Sequence, residues 1–284
     1  VYSISKHGLL HALDAKSGKI LWKRDMPKEA KMKKLPYWGF AASPLIFEEQ
    51  LIIEAGATYS MNKKNGSILW ESDFFQAAYG SPTIFSPEGF PMIAVLKNDG
   101  LVLINPENGS TLDFVGWETS YQTNASTPIV RGDKLFLSTG YQRGCALFQW
   151  NGRKLEKQYE NKNLSTHMNH AILVEDFVYG FDGNVHMAGP KDFVCMDFLT
   201  GKVQWRITDR SLEIGSLLVA GDRMMLLGQR GELVFARVNP LEFEEIFREQ
   251  AIGGRCWTMP VFSQGILYLR NARGDLYAYD LGSK

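Results

Sequence analysis

Short apolar runs that end in a polar turn recur along the whole chain. The segment LDAKSGKILW at residues 13–22 returns as MNKKNGSILW at 61–70 and as MDFLTGKVQW at 196–205. Each copy has Asp or Asn before a glycine, and an apolar run ending in Trp after it. Asp and Asn bond to the backbone ahead of them, and glycine adopts the positive φ that closes such a turn. The pattern therefore predicts two antiparallel strands joined by a tight turn.

The turn residue returns at a regular interval. It occupies six positions, 41 to 48 residues apart except for one gap of 92, and these are Asp14, Asn62, Asn105, Asp197, Asn239 and Asp280. The long gap is twice the usual interval and contains the shorter turn Trp150-Asn151-Gly152. Seven units of similar length therefore follow one another along the chain.

Each unit also contains an earlier hairpin, such as those at residues 128–137, 217–226 and 260–269. A unit is then four short antiparallel strands, here called A to D, and this is typical of a propeller blade. The sequence predicts an all-β protein, a seven-bladed β-propeller of four-stranded antiparallel blades, as a single domain over residues 1–284. Residues 241–250 are the one segment in which helical spacing is considered.

The two ends of the chain carry incomplete units. Residues 1–26 supply strands B to D, and residues 257–281 supply strands A to C. A closed propeller pairs strands from its two termini, so that no sheet edge stays exposed. We therefore expect the first and last blades to be incomplete in this chain, with the missing strands upstream of Val1.

Composition and charge limit the classes of function that the chain is expected to have. Lys plus Arg and Asp plus Glu both number 31, so the chain has no basic footprint for nucleic acid. The basic run at 23–34 is interrupted by acidic residues and is expected to be a solvated loop. No apolar run reaches the ~18 residues that a membrane span needs. Cys145, Cys195 and Cys256 are far apart and set among apolar residues, which predicts buried thiols rather than a metal or disulfide framework.

The pattern ALD-x-x-(S/T)-G-x-x-LW resembles the repeat of the pyrroloquinoline-quinone (PQQ)-like propellers, which include quinoprotein alcohol dehydrogenases and BamB-type outer-membrane assembly lipoproteins. In that superfamily the Trp of strand D docks between adjacent blades, and the matching residues here are Trp22, Trp70 and Trp205. Asp113, Glu156 and Phe247 take that place in other blades. The segments YWGFAASP at 37–44, AYGSP at 78–82 and CWTMP at 256–260 resemble the compact bacterial type of these propellers.

The resemblance implies a location in the bacterial envelope, either periplasmic or secreted. BamB-type proteins use loops and blade edges to hold an extended segment of another protein. The favoured hypothesis is a non-catalytic binding or scaffolding propeller, without a cofactor, whose partner is an envelope protein, an extended peptide or a small polar ligand.

The loops before strand A and between strands B and C are expected to open on one face of the propeller, around a central channel. The predicted ligand-binding residues at this mouth are Trp38, Tyr79, Tyr121, His167, His170, Asp182, Arg255 and Trp257. Aromatic faces with a few polar groups suit a peptide segment or a small polar ligand such as a sugar or quinone. His167 and His170 are expected to face opposite sides of a strand, so no metal site is predicted. For His186 no partner is predicted.

Two enzymatic alternatives remain open. The PQQ-dependent dehydrogenases of the superfamily have adjacent cysteines, a Ca²⁺ site and a catalytic Asp; this chain has no adjacent cysteines, and Asp182 with His170 is its candidate for a general base. A carbohydrate-processing enzyme needs paired carboxylates, for which Asp99, Asp182 and Glu213 are the candidates. No catalytic residue is assigned. The G-H…W-D signature of WD-type propellers is missing.

Overall fold

The computed structural model describes residues 1–189 and 191–282, which are almost entirely short strands and loops. The first thirteen strands are β1 (Tyr2–Ile4), β2 (Leu9–Leu13), β3 (Ile20–Asp25), β4 (Leu45–Phe47), β5 (Gln50–Ala55), β6 (Ala57–Asn62), β7 (Ile68–Glu71), β8 (Thr83–Phe85), β9 (Met92–Leu96), β10 (Gly100–Ile104), β11 (Thr111–Gly116), β12 (Ile129–Arg131) and β13 (Lys134–Thr139). They are followed by β14 (Gly144–Trp150), β15 (Leu155–Asn161), β16 (Ile172–Val174), β17 (Phe177–Asp182), β18 (Asp192–Asp197), β19 (Val203–Thr208), β20 (Ser216–Ala220), β21 (Arg223–Leu227), β22 (Glu232–Arg237), β23 (Glu245–Gln250), β24 (Val261–Ser263), β25 (Ile266–Arg270) and β26 (Leu276–Asp280).

Within these described residues the strands form seven sheets, each made of strands that are consecutive in the chain. The first sheet is β1–β3 and the seventh is β24–β26; the five between them are four-stranded, namely β4–β7, β8–β11, β12–β15, β16–β19 and β20–β23. The prediction of an all-β, seven-bladed propeller with four-stranded antiparallel blades is confirmed. The first and seventh sheets have the three strands expected from the sequence.

Helical structure is confined to short segments in the described residues. Helix α1 (Met26–Glu29) is one turn long, and Asp25 caps it by accepting a hydrogen bond from the Lys28 N–H at 3.4 Å. The expectation of a solvated loop at 23–34 is therefore wrong in part, since β3 extends to Asp25 and the Met26 side chain is buried. Two single 3₁₀ turns span Pro87–Gly89 and Ser120–Gln122.

The helix considered for residues 241–250 is wrong. Glu245 to Gln250 form β23, the outer strand of the sixth sheet, which pairs antiparallel with β22. Its Arg248 guanidinium donates to Asp209 at 2.7 Å and to Glu245 at 2.6 Å. These ion pairs and the ladder with β22 fix a strand where the spacing of apolar residues alone is ambiguous.

The contacts of the chain divide it into two compact units. The first unit comprises residues 1–137 with 148–157, and the second comprises 138–147 with 158–284. In the first unit, Leu51 and Met61 pack in one buried cluster, and Ile93 and Val102 pack in another. In the second unit, Phe193 and Leu226 belong to one buried cluster, and Leu233 and Leu267 belong to another. That residues 1–284 form a single domain stays a prediction.

Burial varies with the position of a strand in its sheet. All residues of β9 and β10, the middle strands of the third sheet, are buried, whereas β11 at its edge alternates between half-buried and exposed residues. A strand covered on both faces has a continuous run of apolar residues in its sequence. An edge strand with one face in solvent alternates between apolar and polar residues. The middle strands therefore form the cores and the outer strands carry the polar surface.

Successive sheets within each unit are joined by the Trp of the outer strand. The indole N–H of Trp22 donates to the carbonyl oxygen of Lys63 at 3.2 Å, and that of Trp70 donates to Pro106 at 2.9 Å. In the second unit Trp205 donates to Asn239 at 2.9 Å. Each acceptor lies at the turn between the third and fourth strands of the next sheet.

At the Trp22 and Trp70 junctions, the turn also has a glycine that lies against the same aromatic ring. A Cβ on Gly66 would be 2.7 Å from the Trp22 ring, and a Cβ on Gly109 would be 2.6 Å from the Trp70 ring. Both glycines also have a positive φ, +70° and +78°. The turn therefore needs glycine for its backbone conformation and for the space that the indole fills.

Other residues take the place of Trp in two further sheets. In the fourth sheet Tyr159, three residues beyond Glu156, takes this place. The Tyr159 hydroxyl donates to the carbonyl of Phe198 at 2.8 Å. A Cβ on Gly201 would be 2.7 Å from the Tyr159 ring. In the third sheet Asp113 accepts a hydrogen bond from the Leu155 N–H at 2.7 Å. The junction between sheets is thus kept although its residues vary.

We predict that Gly66→Ala lowers the free energy of unfolding more than Gly18→Ala does. The two glycines share φ values of +70° and +71°, but a Cβ at Gly18 would have no atom within 4 Å. Gly18→Ala is therefore expected to cost about 1–2 kcal/mol for its left-handed backbone alone. Gly66→Ala adds an overpacking cost of about 1–3 kcal/mol. Urea unfolding followed by far-UV circular dichroism measures both, and equal costs would contradict the packing role of Trp22.

Candidate functional site

The eight predicted mouth residues fall in both compact units. Trp38, Tyr79 and Tyr121 belong to the first unit, and the second contains His167, His170, Asp182, Arg255 and Trp257. That all eight surround a common opening stays a prediction.

In the first unit, Tyr79 and Tyr121 line an open hollow of about 340 Å³. Its walls also include Tyr37, Phe74, Gln76 and Gln122, and we call this place the tyrosine hollow. The Trp38 N–H donates to the Tyr79 hydroxyl at 3.4 Å, so Trp38 is attached to the same wall. The structure therefore brings the three predicted residues of this unit together.

The loops that form the tyrosine hollow are held by polar contacts, and they contain residues with strained backbone. The side-chain amides of Gln76 and Gln122 bond to each other at 2.9 Å, and the Gln76 N–H donates to Asp99 at 3.0 Å. Tyr121 and Gln122 have φ values of +63° and +55°, a region that costs non-glycine residues about 1–3 kcal/mol each. Such strain is typical of functional loops held by their surroundings.

An ion pair between Lys97 and Glu54 lies under the tyrosine hollow, and both side chains are buried. The Lys97 ammonium also donates to the Gly56 carbonyl at 2.8 Å and to the Thr58 hydroxyl at 2.9 Å. Burial lowers the pKa of Lys97, and the charge of Glu54 opposes this effect. Gly56 lines the hollow, so the pair fixes part of its floor.

Asn124 connects this buried pair to the loops above it. Its side-chain amide donates to the carbonyl of Lys97 at 2.8 Å and to that of Trp117 at 2.7 Å. The backbone carbonyl of Asn124 accepts from the Tyr79 N–H at 2.9 Å. One buried residue therefore ties the loop that carries Tyr79 to Lys97, which directly follows β9.

We predict that Lys97→Met destabilises the protein by about 3–5 kcal/mol, because it leaves the buried carboxylate of Glu54 without its cation. The double variant Lys97→Met with Glu54→Gln is expected to lose less than Lys97→Met alone, since the uncompensated charge is gone. Chemical unfolding of both single variants and the double variant measures the coupling. A double variant at the sum of the single losses would show that the two side chains act independently.

In the second unit, four rings from different loops form a row, the histidine–tryptophan row. The ring centroids of Tyr141 and His167 are 5.1 Å apart, those of His167 and His186 are 5.9 Å apart, and those of His186 and Trp257 are 5.5 Å apart. The Arg255 guanidinium lies 4.2 Å from the Trp257 ring centroid. Three predicted residues, His167, Arg255 and Trp257, are therefore brought together.

His167 is the buried centre of this row. Burial and the nearby His186 lower its pKa to about 4, so the ring is neutral at pH 7. One ring nitrogen, Nε2, is 3.3 Å from the Tyr141 hydroxyl. Tyr141 and Gln142 have φ values of +56° and +57°, a second pair of consecutive left-handed residues at a predicted site.

Asp182 is bound by its own structural partners. It accepts from the Ser165 N–H at 2.7 Å and from the Arg206 guanidinium at 2.5 Å, and Arg206 also donates to Asp192 at 2.9 Å. Burial raises the pKa of Asp182, while Arg206 acts in the opposite direction. It lines an open hollow of about 260 Å³ together with Lys162. Both carboxylate oxygens hold this part of the fold together.

The other candidate groups are held in different ways. Burial lowers the pKa of His170, which is half-buried. Glu213, a carboxylate considered for carbohydrate chemistry, pairs with Lys191 at 3.0 Å and with Arg230 at 2.9 Å. Asp99 accepts the Gln76 N–H described above. These carboxylates have structural partners of their own.

The cysteines are buried and free, as the sequence predicted. Burial raises the pKa of Cys145 to about 12 and that of Cys195 to about 11. Such thiols are inert, and none is adjacent to another in sequence, so the residues do not fit the PQQ and Ca²⁺ arrangement of the dehydrogenases. Across residues 1–189 and 191–282, no group of three or more His, Cys, Asp or Glu side chains is placed to hold a metal.

Sequence reasoning missed His186 and the Lys97–Glu54 pair. His186 lies in the loop between β17 and β18, the same kind of loop as those that carry Tyr141 and Arg230. The position of His186 in that loop was therefore sufficient to predict that it lies near Tyr141 and the other residues of the histidine–tryptophan row. The ion pair gave no such signal, because its two residues are 43 positions apart in different sheets.

The seven consecutive antiparallel sheets of the described residues, with Trp at three of the junctions between them, define a propeller of the PQQ-like repeat class. A family model described as outer membrane protein assembly factor BamB matches residues 1–206. The chain therefore belongs to the BamB family.

Individual relatives agree with this assignment. The BamB of Yersinia pestis is 20% identical over 305 residues, an alignment that covers 98% of this chain and 70% of the relative. The crystal structure of BamB from Moraxella catarrhalis superposes with a TM-score of 0.71 at 15% identity, covering 97% of this chain and 80% of the other. The computationally designed Ika8 protein gives a TM-score of 0.69 at 12% identity, covering 99% and 80%. At these identities the two structures show the fold.

We predict that acid destabilises the protein through His167. Its pKa is about 4 when folded and about 6.5 when unfolded, so the unfolded state binds the proton more readily. Stability is fully present above pH 6.5 and falls as the pH drops from 6.5 towards 4, by up to about 3 kcal/mol. His167→Gln is expected to flatten this slope, measured by urea unfolding at several pH values. The matched variant of the exposed His7, His7→Gln, should keep it; the same slope in both variants would contradict the assignment.

Proposed function

We propose that this protein is a non-catalytic scaffolding propeller of the bacterial cell envelope, which holds an extended segment of another protein during outer-membrane protein assembly. Membership of the BamB family supports this role, since its relatives are named as assembly factors for outer membrane proteins. The observation that carries the proposal is the exposed aromatic surface around the tyrosine hollow.

That surface leaves large aromatic side chains in water. Tyr37, Phe74 and Tyr121 are 79%, 74% and 78% exposed, and Trp38 is 58% exposed. The rings of Tyr37 and Trp38 meet edge to face at 4.8 Å. Tyr and Trp are enriched at the energetic centres of protein interfaces, where they provide large contact area with little loss of conformational entropy. A monomer gains nothing from exposing four of them together.

The polar groups of the hollow suit a peptide backbone. The Gln76 and Gln122 amides, which pair with each other, each have further donor and acceptor capacity for an N–H or C=O group of an extended chain. The aromatic walls would then contact side chains on alternate positions of that chain, since successive side chains of a strand point to opposite faces. Backbone contacts supply affinity, and the aromatic walls supply selection.

The proposed location is the periplasm or the outside of the cell, and its support is the name of the family and of the Yersinia pestis relative, outer membrane protein assembly factor. In the part of the chain that the structure describes, no helix is both long enough and apolar enough to cross a bilayer. The partner is proposed to be a protein of the outer-membrane assembly process.

The test is site-specific photo-crosslinking in bacterial cells that produce the full protein. We expect p-benzoyl-phenylalanine in place of Trp38 to give a crosslink to a protein of outer-membrane assembly, identified by mass spectrometry, at more than ten times the yield from the same residue in place of Phe90. Phe90 is also an exposed aromatic of the first unit, but it does not line the tyrosine hollow. Equal yields at the two positions would reject the proposed surface.

A second measurement tests the energetics of the same surface. Trp38→Ala combined with Tyr121→Ala is expected to reduce co-purification of the crosslinked partner at least tenfold, as truncation of interface hot spots does. Phe90→Ala should leave co-purification unchanged. Retention of the partner by the double variant would show that it binds elsewhere on the molecule.

A further inference from the structure

An open hollow of about 460 Å³ lies in the second unit, at one end of the histidine–tryptophan row. Three loops form it: the β17–β18 loop with His186, the β21–β22 loop with Arg230, and the β23–β24 loop with Arg255 and Trp257. We call it the arginine hollow. It is a different place from the tyrosine hollow, and nothing in the proposed function uses it.

The walls of the arginine hollow are rich in hydrogen-bond donors. Arginine and the tryptophan indole donate only; neither accepts a hydrogen bond. The indole N–H of Trp257 is buried and has no acceptor within the described residues. A buried donor left without an acceptor is unfavourable, and an acceptor from outside the chain is one way to satisfy it.

Positive charge is in excess at this place. Glu213 is already shared by Arg230 at 2.9 Å and Lys191 at 3.0 Å. Neither Arg255 nor Arg273 has a carboxylate at ion-pair distance in residues 1–189 or 191–282. A guanidinium that lacks a carboxylate keeps its full fork of donors for an incoming anion.

The arginines are positioned before any ligand arrives. Arg255 stacks over the Trp257 ring, 4.2 Å from its centroid, which leaves the edge of the guanidinium for hydrogen bonds. Arg273 packs against Gly254, where a Cβ would come within 3.2 Å of Nη2 and 3.3 Å of Nε. Gly254 has a φ of +84°, so a larger residue is disfavoured there on two grounds. Because Gly254 has no side chain, the Arg273 guanidinium lies against the backbone beside the hollow.

We propose that the arginine hollow binds an oxyanion, a carboxylate or phosphate group, held by Arg255 with the indole N–H of Trp257 and the neighbouring arginines. The planar guanidinium fork matches the oxygen pairs of these groups, and lysine does not reproduce that geometry. The oxyanion belongs either to a free small molecule or to an acidic peptide segment, since both present the same chemistry.

The experiment follows the indole resonance of Trp257 in the ¹H–¹⁵N spectrum of the full protein. The chain has 7 Trp residues, so Trp257 is assigned as the resonance missing from Trp257→Phe. Succinate, inorganic phosphate and a glutamate-rich peptide are titrated at constant ionic strength. We expect a saturable shift of this resonance, with the other indole resonances unchanged. Tighter binding of the peptide than of the free ions assigns the oxyanion to a peptide, and the reverse assigns it to a small molecule.

Matched variants decide whether the site is specific. Arg255→Gln is expected to raise Kd at least tenfold and Arg255→Lys at least fivefold, because lysine keeps the charge but loses the fork. Arg210→Gln, which removes the same charge from another exposed position of the second unit, should change Kd less than twofold. The remaining indole resonances report that each variant is folded. No saturable shift with any of the three probes, an unchanged Kd in Arg255→Gln, or an equal loss in Arg210→Gln would each overturn the proposal.

Discussion

The contact on which the rest of the structure depends is the one between an outer-strand aromatic ring and the glycine turn of the next sheet. The indole N–H of Trp70 satisfies the carbonyl of Pro106, and its ring occupies the space beside Gly109. One residue thus supplies a hydrogen bond and fills a gap at the same junction. The hydrogen bond recurs at Trp22, Trp205 and Tyr159, and the contact between ring and glycine recurs at Trp22 and Tyr159. Neighbouring sheets within each unit are thereby held in register, and their loops come to lie side by side.

This local contact explains why the fold was predictable from the sequence. A turn that needs glycine for its φ, followed by Trp at a fixed distance, gives the same sequence pattern at residues 13–22, 61–70 and 196–205. Such a pattern can be found without knowledge of distant contacts. The error at residues 241–250 shows the limit of such reasoning. Apolar residues there are compatible with a helix, and only pairing with β22 and the bond from Arg248 to Asp209, 39 positions earlier, determine a strand.

The candidate sites were predictable in part. Loop position was enough to select Tyr79 with Tyr121 in the first unit, and His167 with Trp257 in the second, because four-stranded repeats place the equivalent loops of neighbouring sheets together. It was not enough to find the contacts between them. His186 joins His167 to Trp257 only through the packing of three separate loops. The buried ammonium of Lys97 likewise depends on a carboxylate from the preceding sheet, and a lone lysine after an apolar strand ordinarily indicates the start of an exposed turn.

Through the glycine turns, the residues that one repeat tolerates depend on the residues of the repeat before it. Where the third sheet has Asp113 in place of Trp, the next turn has Gly152, and a Cβ there would meet no atom within 4 Å. Where the preceding sheet has an aromatic ring, Gly66, Gly109 and Gly201 have no such room. A large-to-small exchange at one of these junctions thus relaxes selection on the glycine of the following repeat, while the reverse exchange there requires the glycine first. The turn after Trp205 has no glycine, and Phe243 packs on that ring instead. Substitutions in this chain are therefore expected to accumulate in ordered pairs across repeat boundaries, and a repeat transplanted alone would lose half of each pair.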